Sequence, residues 1–514
     1  MRAVFVMFDS LNRHILGAYG GTKVPTPNFD RLAARSVTFD QHHVGSMPCM
    51  PARRDMQTGR LSFLHRSWGP LEPFDNSFPE TLGKKGIYSH FITDHFHYFE
   101  DGGATYHNRY DSYEFVRGQE GDRWKAMVAP PWDDIREKIH PNQFSTEPRT
   151  YARHNAVNRE FIREEEDFSS AKVFAKGLEF LDINRHADDW LLQIETFDPH
   201  EPFQAPDRFK KPFETGWNGG ARDWPPYARV SEDAAEADEL RANYHALVAM
   251  CDEHLGMLLD YFDAHDLWKD TALIVTTDHG YLLGEHDFWA KNRMTIYDEL
   301  ARIPLFVHDP RSPDLAGTRS ASLTQSIDIA ATFLDLFDAP VPPENEGHSL
   351  FGMLRGETRR EAVIFGYFGG AVNVSDGRYA YHRYPADLAT QEIFQYTAMP
   401  THIFTPFTPQ ELAGAEISAP FPFMKGARAL KIPVIETAPF HPLYGPGCLL
   451  ESETRLYDLE TDPEQKSALD DPETETRLVE TMTSLMAANH APPEAFERLG
   501  LPSDRATSPA STAP

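Results

Sequence analysis

The stretch Thr271-Ala272-Leu273-Ile274-Val275-Thr276-Thr277 runs straight into Asp278-His279-Gly280. A short run of β-branched and aliphatic residues without polar alternation reads as a strand buried on both faces. The same arrangement recurs at Arg2–Phe8, which meets Asp9-Ser10, and at Trp190–Thr196, which leads to Asp198-Pro199-His200. Gly86–Thr93 and Ile303–His308 read as further strands. Asn28–Ala34, behind a Pro-Thr-Pro turn, and the alanine- and charge-rich Asp233–Phe262 read as helices. Strands alternating with helices predict an α/β fold whose mainly parallel sheet is covered on both faces. Ligands of such sheets gather at the carboxyl ends of the strands. The three polar clusters should therefore converge on one crevice.

A chain of 514 residues can bury a large core and is long enough for two or more domains. Its apolar runs are too short to cross a bilayer. The N-terminus has no basic segment followed by a long apolar stretch and a cleavage site, which predicts a cytoplasmic protein. A formal net charge of −29 argues against general binding to nucleic acid or anionic membranes. An anionic substrate would have to be held by local cations. Three cysteines cannot build a disulfide framework. Cys251 lies in the apolar-periodic stretch Leu247–Phe262 and is expected in the core. Cys448, behind Gly445-Pro446-Gly447, carries no readable signal. Cys49 stands out because its surroundings are polar and turn-like.

After about residue 355 the strands shorten (Ala362–Tyr367, Arg378–Tyr384) and prolines multiply. This predicts a catalytic α/β domain over 1–355 and a smaller α+β domain over 356–502. The Ser/Pro/Ala-rich tail 503–514 is expected to be disordered. Within the first domain, 96–170 is an irregular, aromatic-rich insertion. It reads equally as a specificity lid or as a packed surface excursion.

Pro48-Cys49-Met50-Pro51-Ala52-Arg53, followed by Thr58-Gly59-Arg60, contains the pattern Cys-x-Pro-x-Arg. Here the chain resembles the sulfatase family of the alkaline phosphatase superfamily. Further elements occur in the family's order: Asp9-Ser10, Asp198-Pro199-His200-Glu201-Pro202, Asp278-His279-Gly280 with Gly284-Glu285-His286 and Lys291, and Leu456-Tyr457-Asp458-Leu459 with Asp462-Pro463. The resemblance implies an alkaline phosphatase-like three-layer sandwich with a smaller C-terminal domain carrying a small antiparallel sheet. It implies that a formylglycine-generating enzyme oxidises Cys49 to formylglycine. The hydrated aldehyde would attack sulfur through one hydroxyl, giving a covalent sulfated intermediate, and expel sulfate through the other.

Carried over residue by residue, Asp9, Asp278, His279 and the oxygen at Cys49 are the implied metal ligands. Hard oxygen donors suit Ca²⁺, and the imidazole leaves Mn²⁺ as the alternative. Arg53 would hold the metal carboxylates and the ionised diol, while Lys291 and His200 would contact the transferred group and the leaving oxygen. Thr93-Asp94-His95-Phe96-His97 takes the place of a Gly-Lys-Trp-His block, making His95 and His97 substrate-binding candidates. Asp94 replaces that block's lysine, either to orient a histidine or to meet a cationic group. Ser10 replaces the family's second acid or amide and is not counted as a ligand.

The implied activity is hydrolysis of aryl or alkyl sulfate monoesters. A phosphonate monoester or phosphodiester hydrolase with the same nucleophile is the alternative, since a histidine at 279 is familiar from that group. A non-catalytic metal-binding scaffold would require a decayed nucleophile or ligand set, and both are intact. The implied partners are a small anionic ester and the maturation enzyme, with no nucleic acid or membrane. Family members often self-associate, so a homodimer is compatible with the resemblance.

Overall fold

In the computed structural model, which describes residues 1–388 and 391–502, the Arg2–Phe8 strand is buried along its whole length. Residues alternate between the faces of a strand. Val4, Val6 and Phe8 therefore enter a core shared with the helices Ser169–Asn184 and Ala234–Ala264. Ala3, Phe5 and Met7 enter a second core shared with Asp328–Leu336. Both faces need apolar side chains, which is why the alternation shows in sequence as an unbroken apolar run. The result is three layers: helices, sheet, helices.

Arg2–Phe8 pairs in parallel with Trp190–Thr196 on one side and Thr271–Thr277 on the other. Phe8 lies level with both Thr196 and Thr277, so all three strands end on one line. Among the described residues the full sheet has eight strands, in the order Arg319–Gln325, Val37–His43, Leu305–His308, Thr271–Thr277, Arg2–Phe8, Trp190–Thr196, Tyr88–Thr93, Ser112–Phe115. Leu305–His308 runs antiparallel to both neighbours, and every other pairing is parallel.

The expected strand at Ile303–His308 begins only at Leu305, because Pro304 has no N–H to give a ladder. Val37–His43 and Arg319–Gln325 were not read as strands. Their polar content (Asp40, Gln41, His42, His43; Arg319, Ser320, Ser322) masks the β pattern. The helix expected over Asp233–Phe262 runs Ala234–Ala264, with the Asp233 side chain accepting from the N–H groups of Ala235 and Glu236. Cys251 lies in the core as expected.

The smaller sheet orders Arg455–Asp458, Tyr379–Arg383, Val372–Ser375, Val363–Tyr367 and Ser46–Met47. It is covered by Pro472–Ala488. Its edge strand Ser46–Met47 comes from just before Cys49 and pairs in parallel with Val363–Tyr367. The C-terminal segment therefore does not build this sheet alone; it clamps the chain that leads into the Cys49 helix. The tail 503–514 lies outside the described residues. Among the described residues no helix is long and apolar enough to cross a membrane.

Four imidazoles, His42, His43, His65 and His382, are buried, and burial lowers each to about 3. They stay neutral in the fold while the unfolded chain takes up protons below about 6.5. The unfolded state then binds more protons, so stability is complete above that pH and falls as pH drops towards 3. Each such group contributes a slope of about 1.4 kcal/mol per pH unit in that window. Thermal unfolding followed from pH 7.5 to 5 should show a Tm that falls steadily below about 6.5, and a His42→Asn, His382→Asn double variant should flatten the decline.

Candidate active site

The three strand ends deliver carboxylates to one guanidinium. Arg53 donates from Nη2 to Asp9 Oδ2 at 2.9 Å, from Nη1 to Asp278 Oδ2 at 2.6 Å and from Nε to Glu195 Oε1 at 2.9 Å. All four side chains are buried. Burial alone would lower Arg53, but Glu195, Asp278 and Asp9 hold it well above its ordinary value. Asp9 is held well below the usual carboxylate range: burial opposes this, and Arg53, His200 and Lys291 outweigh it.

Arg53 comes from the helix Cys49–Thr58, buried at every position. Cys49 is its first residue, so the side chain sits where unpaired N–H groups and the helix dipole favour negative charge. Asp55, on the same helix, accepts from the N–H groups of Ser46 at 2.6 Å and Ser62 at 2.9 Å, tying the helix to the chain on either side. Cys49 Sγ lies 3.2 Å from His279 Nε2. The other ring nitrogen, Nδ1, donates to the Gly280 carbonyl at 2.8 Å, so Nε2 carries the lone pair. Burial lowers His279 to about 4, which keeps it neutral. Gly280 is required by packing: a Cβ there would stand 1.7 Å from the Glu299 carbonyl oxygen.

Ser10 occupies a left-handed conformation (φ 63°) that turns the chain away from the sheet. Its N–H donates to Asp278 Oδ1 at 3.0 Å, and its hydroxyl donates to Asp9 Oδ1 at 2.7 Å while accepting from Lys291 Nζ at 2.7 Å. Ser10 is thus a link between the lysine and the first aspartate. Burial would lower Lys291, but Cys49, Glu201 and Asp9 together raise it.

His95 is completely buried with Nε2 3.6 Å from Asp9 Oδ2, and among the described residues neither ring nitrogen has a hydrogen-bond partner. His200 donates from Nδ1 to the Glu201 carbonyl at 2.6 Å, which leaves Nε2 as its working nitrogen. His97 is tied through Nδ1 to Glu100 Oε2 at 2.5 Å and meets the Trp68 ring edge-on. Asp94 is placed elsewhere: it accepts from Ser169 Oγ and from the Phe197 N–H, both at 2.7 Å, and so fastens the loop that carries His200.

Each Arg53 nitrogen donates to a carboxylate, and the Cys49 sulfur meets His279 Nε2. Two residues of the site were not in the sequence reading. Glu195 was missed, although an acid inside a buried strand was a visible signal; Tyr98 fixes its second oxygen at 3.0 Å. Glu120 was also missed: it lies buried in a group with His200 and Glu201, ligand atoms of the three within 4.8 Å of one another, and nothing in the sequence of the 96–170 insertion singled it out.

Ligand atoms of Asp9, Cys49, Asp278 and His279 all lie within 4.8 Å of one another. Two carboxylates, a neutral imidazole and the group at position 49 are a chemically sound donor set for one divalent cation.

The architecture is that of the alkaline phosphatase-like hydrolases. The chain belongs to the sulfatase family: the family description Sulfatase matches residues 2–339, and that of the N-sulphoglucosamine sulphohydrolase C-terminal region matches residues 284–403. By family it is a sulfuric ester hydrolase. It is 25% identical over 418 residues to choline-sulfatase of Rhizobium meliloti, spanning 74% of this chain and 77% of that protein. It is 23% identical over 419 residues to N-acetylglucosamine-6-O-sulfatase of Bacteroides thetaiotaomicron, spanning 71% and 74%. Among solved structures it resembles phosphonate monoester hydrolase of Agrobacterium radiobacter, with a TM-score of 0.63, 18% identity, and coverage of 95% of this chain and 96% of that one. BT4656 in complex with its substrate D-glucosamine-2-N,6-O-disulfate gives a TM-score of 0.63 at 16% identity, covering 95% and 98%.

Replacing Arg53 by Gln would leave buried carboxylates without their counter-charge. Breaking a buried ion pair from one side typically costs about 3–5 kcal/mol. Denaturant unfolding of Arg53→Gln should show a loss of that size, and Glu195→Gln, which keeps a hydrogen-bond acceptor, a distinctly smaller one.

Proposed function

We propose that this chain hydrolyses sulfate monoesters with a nucleophile made by oxidising Cys49 to formylglycine. The observation that carries the reading is the placement of Cys49 at a helix N-terminus, within 4.8 Å of the donor atoms of Asp9, Asp278 and His279. A divalent metal, Ca²⁺ on this donor set with Mn²⁺ as alternative, would be held by those residues and the oxygen at position 49, and would supply Lewis-acid charge to the sulfuryl oxygens. Formylglycine hydrate supplies one hydroxyl to attack sulfur and a second whose deprotonation restores the aldehyde as sulfate leaves.

The chain's own side chains do the rest. Arg53 holds Asp9 and Asp278 in place. Lys291, anchored through Ser10, offers positive charge to the transferred group. His200, fixed through Nδ1, presents Nε2 to the departing oxygen, and it is the doubly protonated ring that gives that oxygen its proton from Nε2. His95, with two unpartnered nitrogens beside Asp9, suits a sulfuryl oxygen. The reading requires a formylglycine-generating enzyme during maturation and a small anionic ester as substrate.

A second reading, phosphonate monoester or phosphodiester hydrolysis, uses the same nucleophile. It is favoured by the His279 imidazole within the donor cluster and by the likeness to a phosphonate monoester hydrolase fold.

The tryptic peptide ending at Arg53, from protein made with the maturation enzyme, should show an aldehyde in place of the thiol by mass spectrometry. Fully active protein with unmodified Cys49, or full activity in Cys49→Ala, would rule the nucleophile out. Chelation should abolish turnover, and titrating Ca²⁺ and Mn²⁺ back should restore it with one ion per chain. Comparing kcat/KM on an aryl sulfate, a phenyl phosphonate and a phosphate diester separates the two readings; phosphonate preference would favour the second.

A further inference from the structure

The loop that carries His200 also carries Glu201, a buried acid that the reaction above leaves unused. The loop is fastened at two points: Asp94 accepts from the Phe197 N–H at 2.7 Å, and the His200 N–H donates to the Phe197 carbonyl at 2.9 Å. The His200 ring packs on the Phe197 ring, with centroids 4.2 Å apart. Its Nδ1 donates to the Glu201 carbonyl and also lies 3.4 Å from Glu201 Oε2. The other carboxyl oxygen, Oε1, accepts from the Tyr227 hydroxyl. Tyr227 is itself held, since the neighbouring Ala228 carbonyl accepts from the Trp289 N–H at 3.0 Å. Glu201 is 1% exposed, and among the described residues Oε2 has no hydrogen-bond donor. A buried carboxylate oxygen without a donor is costly unless positive charge stands beside it. The His200 ring is the group in that place.

The charges around His200 decide which form its ring takes. Burial lowers it, and Glu201 is the strongest influence in the opposite direction. Lys291 and His95 also disfavour the imidazolium, while Asp9 favours it. Glu120 completes the group from the insertion, but burial and Glu201 push it well up towards its neutral form. Glu201 keeps its charge: burial opposes this, and His200 and Lys291 outweigh it. One carboxylate therefore faces Nδ1, while Nε2 is left to work. Donation from Nε2 requires the doubly protonated ring, and in a dry site that form needs negative charge close by.

We propose that Glu201, clamped by Tyr227, is a positioning residue that orients the His200 ring and holds it doubly protonated until the leaving oxygen departs. Nε2 gives its proton to the oxygen of the breaking ester bond, and Nδ1 keeps its own. The neutral ring takes a proton back from water before the next turnover. Glu201 neither gives nor accepts a proton in the cycle. The inference rests on the reading of His200 as the acid of this ester hydrolase.

The test uses the mature metal-loaded enzyme and two aryl sulfates: phenyl sulfate, whose leaving oxygen needs a proton, and para-nitrophenyl sulfate, whose leaving oxygen departs without one. Glu201→Gln, which keeps the shape and removes the charge, should lower kcat at least about tenfold on the phenyl ester and less than about threefold on the nitrophenyl ester. The basic limb of kcat/KM against pH should move down by about one unit or more, because without the carboxylate the ring loses its proton at lower pH. Glu201→Asp should recover part of that shift. Tyr227→Phe, which frees the carboxylate, should move the limb the same way by a smaller step, and it carries the comparison if Glu201→Gln does not fold. In a His200→Gln background, adding Glu201→Gln should cost less than about twofold more on phenyl sulfate. Equal losses on the two esters with an unmoved limb, or an additive loss in the His200→Gln background, would overturn the proposal. One readout needs no turnover and so separates this inference from the choice of ester. In metal-loaded protein with isotope-labelled histidine, the His200 resonance, identified by its absence from His200→Gln, should titrate at lower pH in Glu201→Gln. An unmoved titration would sink the inference whatever ester is cleaved. If phosphonates react and sulfates do not, only the sulfate reading falls, and the same two leaving groups on a phosphonate carry the comparison.

Discussion

A guanidinium buried among three carboxylates organises this molecule. Asp9, Glu195 and Asp278 come from three adjacent parallel strands. Arg53 gives each of them a charged hydrogen-bond donor, without which a buried carboxylate would be costly. Because Arg53 lies one helical turn after Cys49, the contact that neutralises the acids also fixes where the reactive side chain stands. One guanidinium leaves the trio with an excess of negative charge, and Lys291 offsets only part of it. A divalent cation would reverse the sign locally. That is how a strongly acidic chain can present a site for an anionic ester.

Much of this could be read before any coordinates, because the relevant signals are local. Unbroken apolar runs ending in Asp9, Asp278-His279 and Asp198–His200 announce buried parallel strands with polar carboxyl ends, and the sheet places them together. Long-range pairing is what the sequence conceals. Val37–His43 and Arg319–Gln325 look polar because the neighbours that bury them are distant in the chain. Glu195 sits at a position expected to be apolar. Its partners, Arg53 and Tyr98, lie 142 and 97 residues away. Ser10 gains meaning only when Lys291, 281 residues on, reaches its hydroxyl. Asp94, a candidate for contact with substrate, instead holds a loop.

The choice between sulfate and phosphonate esters depends little on the features that define the site. Both esters present tetrahedral oxygens to the same cations, and both would be attacked from position 49. Discrimination therefore rests on net charge at the transferred group and on the walls around the leaving group. His97 and Glu120, close to the site, come from the irregular insertion, the segment whose composition carried no readable pattern. It is the usual division of labour in an α/β enzyme: strand ends supply reaction chemistry and loops supply choice.

The helix Cys49–Thr58 shows no exposed residue, and Cys49 itself is only 3% exposed. No modifying enzyme can grip that side chain once Ser46–Met47 has joined the smaller sheet and Arg53 has closed on its acids. On the proposed reading, oxidation belongs to the time before folding, when Cys-x-Pro-x-Arg is still an extended peptide. The same short segment would then be read twice: first as a linear recognition sequence, and afterwards as the buried helix that aims the product of that recognition. Protein that folds ahead of its modification would be well packed and permanently inert. Output in a cell would then be governed by a race between synthesis and oxidation as much as by the stability of the finished fold.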